Sequence, residues 1–234
     1  MSVKRPDPTL LGLSFNATFL ALAGTTLLTF GASISAGSAA VKKNRPLMDA
    51  LLFENAVNLI ASYMYSTYFL RHSPTVQRSF SDITQVRYTD WLLTTPLLIV
   101  SFAQIMDYYN RNEALVPATD DLPLGNIVGA IILNFAMLAF GYLGETGRIS
   151  KIAAGLLGFG AFAGLVAVMK TLSTSTAANN LWIYFIITWG LYGVAYFVTD
   201  PVVRNIMYNT LDLVSKVFLG LLTVWAVVNN TRKA

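Results

Sequence analysis

The feature that most constrains this chain is a series of seven long apolar runs separated by short polar breaks. A helix needs about 20 apolar residues to cross a bilayer. The runs fall near residues 9–40, 47–70, 86–108, 123–145, 150–171, 178–199 and 203–229. The breaks at Lys42–Pro46, Arg71–Arg78, Asn110–Asp121, Glu145–Lys151, Ser173–Asn180 and Asp200-Pro201 carry charge, Pro or Asn, and none is long enough to fold alone. The 234 residues are 55% apolar and 12% charged, about half the charged share of a soluble domain. The sequence therefore predicts an all-α, seven-transmembrane-helix bundle, with residues 1–234 forming a single membrane domain. Such a chain is an integral, multi-pass membrane protein whose first partner is the lipid bilayer.

Composition excludes other classes. With no cysteine and 16 glycines, the chain is neither a disulfide scaffold nor collagen-like. Its net charge of +4 is spread too thinly for nucleic acid, and the longest basic cluster, Lys42, Lys43 and Arg45, reads as a loop at a membrane surface. The apolar run after the polar opening Lys4 to Pro8 is too long for a cleaved secretory segment, so it reads as a retained helix. Gly155, Gly158, Gly160 and Gly164 in the fifth run read as helix packing. The 107–122 connection reads as a solvated turn, and His72, the single histidine, as a loop residue. Loop charge does not orient the chain: with Arg87 and Lys216 set aside as intramembrane, seven basic residues fall on each side.

Ionisable side chains within spans are costly and mark function by default. Arg87, Asp90, Thr94 and Ser101 are spaced three, four and seven apart, so they form one stripe on the third helix. Asp212 and Lys216 are one turn apart on the seventh. Arg87, Lys216, Asp90 and Asp212 sum to zero charge, which a low-dielectric interior tolerates far better than an uncompensated ion. Such a pair also suits a plain lock between helices. Trp189, Tyr192 and Tyr196 fall on one helical face and, with Trp91, form either an apolar lining for a flat ligand or ordinary core.

Arg87-Tyr88-Thr89-Asp90-Trp91, followed by Thr94-Thr95-Pro96, resembles the third-helix signature of the microbial, or type 1, rhodopsins. Asp212-Leu-Val-Ser-Lys216 matches the seventh-helix retinal site of that family, and Asn134, Met137 and Gly141 on the fourth helix with Trp189, Tyr192 and Tyr196 on the sixth fit its pocket. The resemblance covers all seven helices. It implies a covalent Schiff base between Lys216 and all-trans-retinal, with Asp90 as proton acceptor and counterion and Asp212 as second counterion. It also implies that Arg87 lies toward the exit, that Thr94 hydrogen-bonds Asp90, and that Trp91, Thr95, Pro96, Leu98, Asn134, Met137, Gly141, Trp189, Tyr192 and Tyr196 confine the polyene. Leu98 lies where proteorhodopsins choose between Leu and Gln, and Leu favours green absorption.

Several positions depart from the family pattern. Ser101 stands where efficient pumps hold the carboxylic acid that returns a proton, so recovery is expected to be slow; Glu54 is a substitute donor or an interface glutamate. Arg204 stands where a pump subgroup has a release glutamate, leaving Asp82 or Asp200 as candidates for that role. Gly193 replaces a sixth-helix proline, and Ser62 falls where proteorhodopsins place a histidine beside the counterion. The departures suit an unusual branch such as the viral rhodopsins. The resemblance thus implies light-driven ion translocation rather than enzyme catalysis, with no metal: an outward proton pump first, a light-gated channel or photosensor of the same fold second, in a homo-oligomer. A seven-span transporter without retinal is the reading from a different class.

Overall fold

The computed structural model describes residues 8–35, 45–70, 80–114 and 122–231. They form seven helices: α1 (Pro8–Ser35), α2 (Arg45–Met64, continued by a wider π-type turn over Tyr65–Leu70), α3 (Phe80–Ala114), α4 (Leu124–Glu145), α5 (Lys151–Thr171), α6 (Thr176–Tyr196) and α7. α7 runs from Pro201 to Thr231, with its own π-type turn over Leu213–Phe218. No strand occurs among the described residues. Five helices are long and apolar enough to cross a membrane by length and hydropathy alone. The other two are α2, which carries Arg45, Asp49, Glu54 and Asn58, and α6, which carries Asn179, Asn180 and several amphipathic rings.

Capping chemistry sets the helix starts. Ser150 accepts from the Ala153 amide (3.2 Å) at α5, and Ser175 from the Ala178 amide (3.1 Å) at α6. Asp200 accepts from the amides of Val202 (2.8 Å) and Val203 (3.0 Å) at α7, with Pro201 in the first turn, where its missing N–H costs nothing. Gly147, at φ +70°, turns the chain between α4 and α5.

α3 extends about six residues beyond each end of the predicted 86–108 run, because charge ends hydrophobicity without ending a helix. The start of the 107–122 connection is therefore helical rather than a solvated turn. Arg111 pairs with Asp107 at 2.7 Å. Asn110 donates to the Leu172 carbonyl (2.7 Å) and accepts from the Ser175 amide (2.9 Å), while Glu113 accepts from the Thr176 amide (2.9 Å), tying α3 to the α5–α6 turn. The Lys42–Lys43 cluster, His72, Asp120 and Asp121 lie outside the described residues, as do the last residues of the predicted 9–40 run.

The surface is rich in exposed apolar side chains, and the interior combines an apolar core with a buried set of ionisable and polar side chains. Leu13, Leu20, Leu27, Ile132, Leu156 and Trp225 are exposed, whereas Glu54, Arg87, Asp90, Ser101, Asn209, Asp212 and Lys216 are buried. Of the α5 glycines, Gly158 and Gly164 pack against α4, where a Cβ at Gly164 would lie 3.3 Å from the Leu133 side chain; Gly155 lies against the Phe197 ring, and a Cβ at Gly160 would meet nothing within 4 Å. Gly155 and Gly158 also border the central cavity, a role beyond packing.

Candidate functional site

Lys216 sits in the π-type turn of α7, and its Nζ donates to Asp90 Oδ2 at 2.5 Å and lies 3.4 Å from Asp212 Oδ1. All three residues are at most 1% exposed. The fourth charge, Arg87, lies 3.6 Å from Asp212 Oδ2, so α3 and α7 each contribute one cation and one anion to the neutral group.

The two carboxylates differ in how they are held. Asp212 accepts from Tyr65 Oη (2.6 Å) and Tyr192 Oη (2.6 Å), so both its oxygens are occupied. Asp90 Oδ1 has no hydrogen-bond partner among the described residues. Asp90 therefore offers an oxygen to an incoming proton while contacting the amine that carries one. Arg87 is fixed by Asn205 Oδ1 (3.0 Å) and Asn209 Oδ1 (2.5 Å), with Tyr65 Oη at 3.4 Å. Asn209 in turn donates to Ser14 Oγ (2.8 Å) on α1.

A cavity of about 100 Å³ runs from Lys216 between α3, α4, α5 and α6. Trp91, Thr95, Leu98, Met137, Gly141, Trp189, Tyr192 and Tyr196 line it. Trp91 packs edge-on against Tyr192 (5.3 Å) and Tyr208 (5.0 Å), forming one wall, and Trp189 packs on Phe185 (4.5 Å). Such a slot, apolar along its walls and ending at a charge-compensated amine, suits a flat apolar ligand.

Some implied positions stand elsewhere. Pro96 is part-exposed and does not border the cavity, because its place on α3 turns it away from Lys216. Asn134 stands behind the wall, donating to Thr95 Oγ1 at 2.7 Å, and so acts through Thr95. The Thr94 hydroxyl donates to the Asp90 main-chain carbonyl (2.8 Å) rather than to its carboxylate, the back-bond a hydroxyl commonly makes one turn down a helix.

Ser101 is buried on the α3 stripe, and its hydroxyl donates to Glu54 Oε1 at 2.6 Å. Glu54 is wholly buried, so it is not an interface glutamate. Asp200 is occupied as the α7 cap, and nothing is described of the Asp82 side chain. Arg204 pairs with Glu145 at 3.3 Å, and a Cβ at Gly193 would lie 2.5 Å from the Phe159 ring, so the glycine admits that ring. Sequence reasoning missed Tyr65, Asn205, Asn209, Tyr208, Ser215 and Glu145. The spacing 205, 209, 212, 216 on α7 was a usable signal, since it continues the Asp212–Lys216 face by two turns.

The family described as bacteriorhodopsin-like protein matches residues 15–230. A green-light absorbing proteorhodopsin of Gamma-proteobacterium EBAC31A08 is 31% identical over 162 residues, 62% of this chain and 61% of that protein. The chain thus matches less than two thirds of the length of that curated relative. Among solved structures, the viral rhodopsin OLPVRII superposes with a TM-score of 0.80 at 29% identity, covering 94% of this chain and 98% of that one. A blue light-absorbing proteorhodopsin from Med12 has the same fold, with a TM-score of 0.74 at 20% identity over 95% of this chain and 99% of that one.

Proposed function

The chain belongs to the bacteriorhodopsin-like family of microbial rhodopsins, and we propose that it is a retinal-binding photoreceptor acting as a light-driven outward proton pump. The observation that carries this reading is the 2.5 Å contact between Lys216 Nζ and Asp90 Oδ2, at the end of an apolar cavity and with Asp90 Oδ1 open. All-trans-retinal, which Lys216 would hold covalently, would supply light absorption and a light-driven isomerisation.

Trp91, Met137, Trp189 and Tyr192 would hold the ligand, and the largely apolar wall they form would keep bulk water from Lys216. Asp90 takes the proton from the Lys216 nitrogen, since its open oxygen needs no bond to break first. Asp212, held by Tyr65, Tyr192 and Arg87, stays as the fixed counter-charge. With Asp90 and Lys216 both neutral, Arg87 and Asp212 remain as a charge-balanced buried pair 3.6 Å apart. Glu54 is the donor that restores the proton, with Ser101 orienting its carboxyl. This assignment supplies the carboxylic acid absent at position 101 and supports a complete pump cycle over a channel or sensor. Outward direction, a single 1–234 domain and a homo-oligomer are part of the proposal and rest on the family resemblance.

The test is light-driven external pH change in vesicles holding the chain with all-trans-retinal, with and without a protonophore. A protonophore-sensitive change without an imposed gradient is expected. Colour without any pH change would move the reading to a channel or sensor, and absence of colour would remove retinal from it.

A further inference from the structure

One face of α2 is polar at every turn: Glu54, Asn58, Ser62 and Tyr65. This face looks into the bundle, since Glu54 meets Ser101 of α3 at 2.6 Å and Tyr65 meets Asp212 of α7 at 2.6 Å. On the α3 stripe, fully buried Leu98 falls between Ser101 and Thr94, and an alkyl group holds no proton. Asn58 and Ser62 occupy the same stretch of the α2 face, and both are buried. Gly220 lets the α7 backbone come against Asn58, where a Cβ would lie 3.0 Å from Nδ2.

Three oxygens on this face, Glu54 Oε2, Asn58 Oδ1 and Ser62 Oγ, are closed off from solvent and have no hydrogen-bond partner among the described residues, and Asp90 Oδ1 beside Lys216 is a fourth. The Asn58 amide is already used on the Glu54 main-chain carbonyl (2.8 Å), which leaves its carbonyl oxygen as the unmatched end. Buried polar groups find a partner either in the protein or in ordered water. A succession of them without protein partners is a site for water, which needs two to four polar contacts to be held. The spacing agrees: groups four residues apart on a helix are separated by about 6 Å along the axis, close to two hydrogen bonds of about 2.8 Å in series, so one water spans each gap.

We propose that this face of α2 binds a single file of water molecules reaching from Glu54 to the Asp90–Lys216 pair, with Asn58 positioning the water that takes the proton from Glu54. The inference rests on the reading of Glu54 as donor. The O–H bond of Glu54 breaks, each water gains one proton and passes one on, and the Lys216 nitrogen gains the last. Glu54 is left a carboxylate that refills from the aqueous side. Asn58 is a positioning residue in this scheme, and Leu98 forces the file onto α2.

The experiment uses the full chain loaded with all-trans-retinal. A structure fine enough to place solvent is expected to show density within hydrogen-bond distance of Asn58 Oδ1 and Ser62 Oγ. After a flash, Asn58→Leu is expected to recover about 10-fold more slowly, less than the 10² to 10⁴ typical of a missing proton-transfer group. Its absorption maximum should not move, and Asn58→Ser, which keeps an acceptor, should restore most of the rate. Absence of the density overturns the file even where Asn58→Leu fails to fold. Slow recovery in Glu54→Gln beside wild-type recovery in Asn58→Leu overturns the file and leaves the donor standing. Wild-type recovery in Glu54→Gln overturns the donor and the file with it.

Discussion

The polar interior has two halves that meet at Lys216, and they are built differently. On the Arg87 side, Tyr65, Asn205, Asn209 and Asp212 are joined by direct hydrogen bonds. On the Glu54 side, three consecutive turns of α2 each carry an oxygen without a partner among the described residues. A dense network fixes charge, because every group in it would lose a partner by moving. A sparse one leaves sites that water can fill and a proton can use. The contrast separates a rigid counter-charge from a refillable supply.

The largest effect should come from removing the junction itself: Lys216→Ala is expected to abolish the visible band after retinal addition, read by absorption of the purified protein. A Lys216→Ala protein that still bound retinal covalently would overturn the site. Next, the two carboxylates should part. Asp90→Asn should keep the pigment, shift it red and stop light-driven pH change. Asp212→Asn leaves Arg87 without its buried counter-charge and should cost about 3–5 kcal/mol of stability, measured as a lowered melting temperature. Equal losses of stability in both would mean that the two halves are not distinct. Glu54→Gln should leave colour unchanged and slow flash recovery by about 10² or more.

Much of this was legible because intramembrane charge is so costly that position alone marks function. Arg87, Asp90, Asp212 and Lys216 stand out in an apolar background, and seven runs of the right length determine the bundle. What stayed hidden were neutral partners. Asn205, Asn209 and Tyr65 carry no charge to betray them, and their role depends on which helix faces which. The two π-type turns leave no compositional mark either, although one of them carries Lys216. Glu54 was ambiguous for the same reason: its depth along α2 could be read, but its orientation toward Ser101 required the packed bundle. Pro96 shows the converse, since its motif was read correctly while its side chain faces away from the cavity.

The smallest prediction is also the sharpest on the contrast between halves. Tyr65 and Ser62 are neighbours on the same face of α2, and each loses one hydroxyl in Tyr65→Phe and Ser62→Ala. Tyr65 Oη donates to Asp212 and receives from Arg87, so its removal strands buried charged partners and should cost about 1–3 kcal/mol. Ser62 Oγ has no partner to strand among the described residues, so its removal should change stability by no more than about 0.5 kcal/mol. Thermal unfolding of the two variants side by side reads the difference. A Ser62→Ala loss as large as that of Tyr65→Phe would mean that the Glu54 side is as tightly bonded as the Arg87 side, and the division between a fixed half and a refillable half would fail.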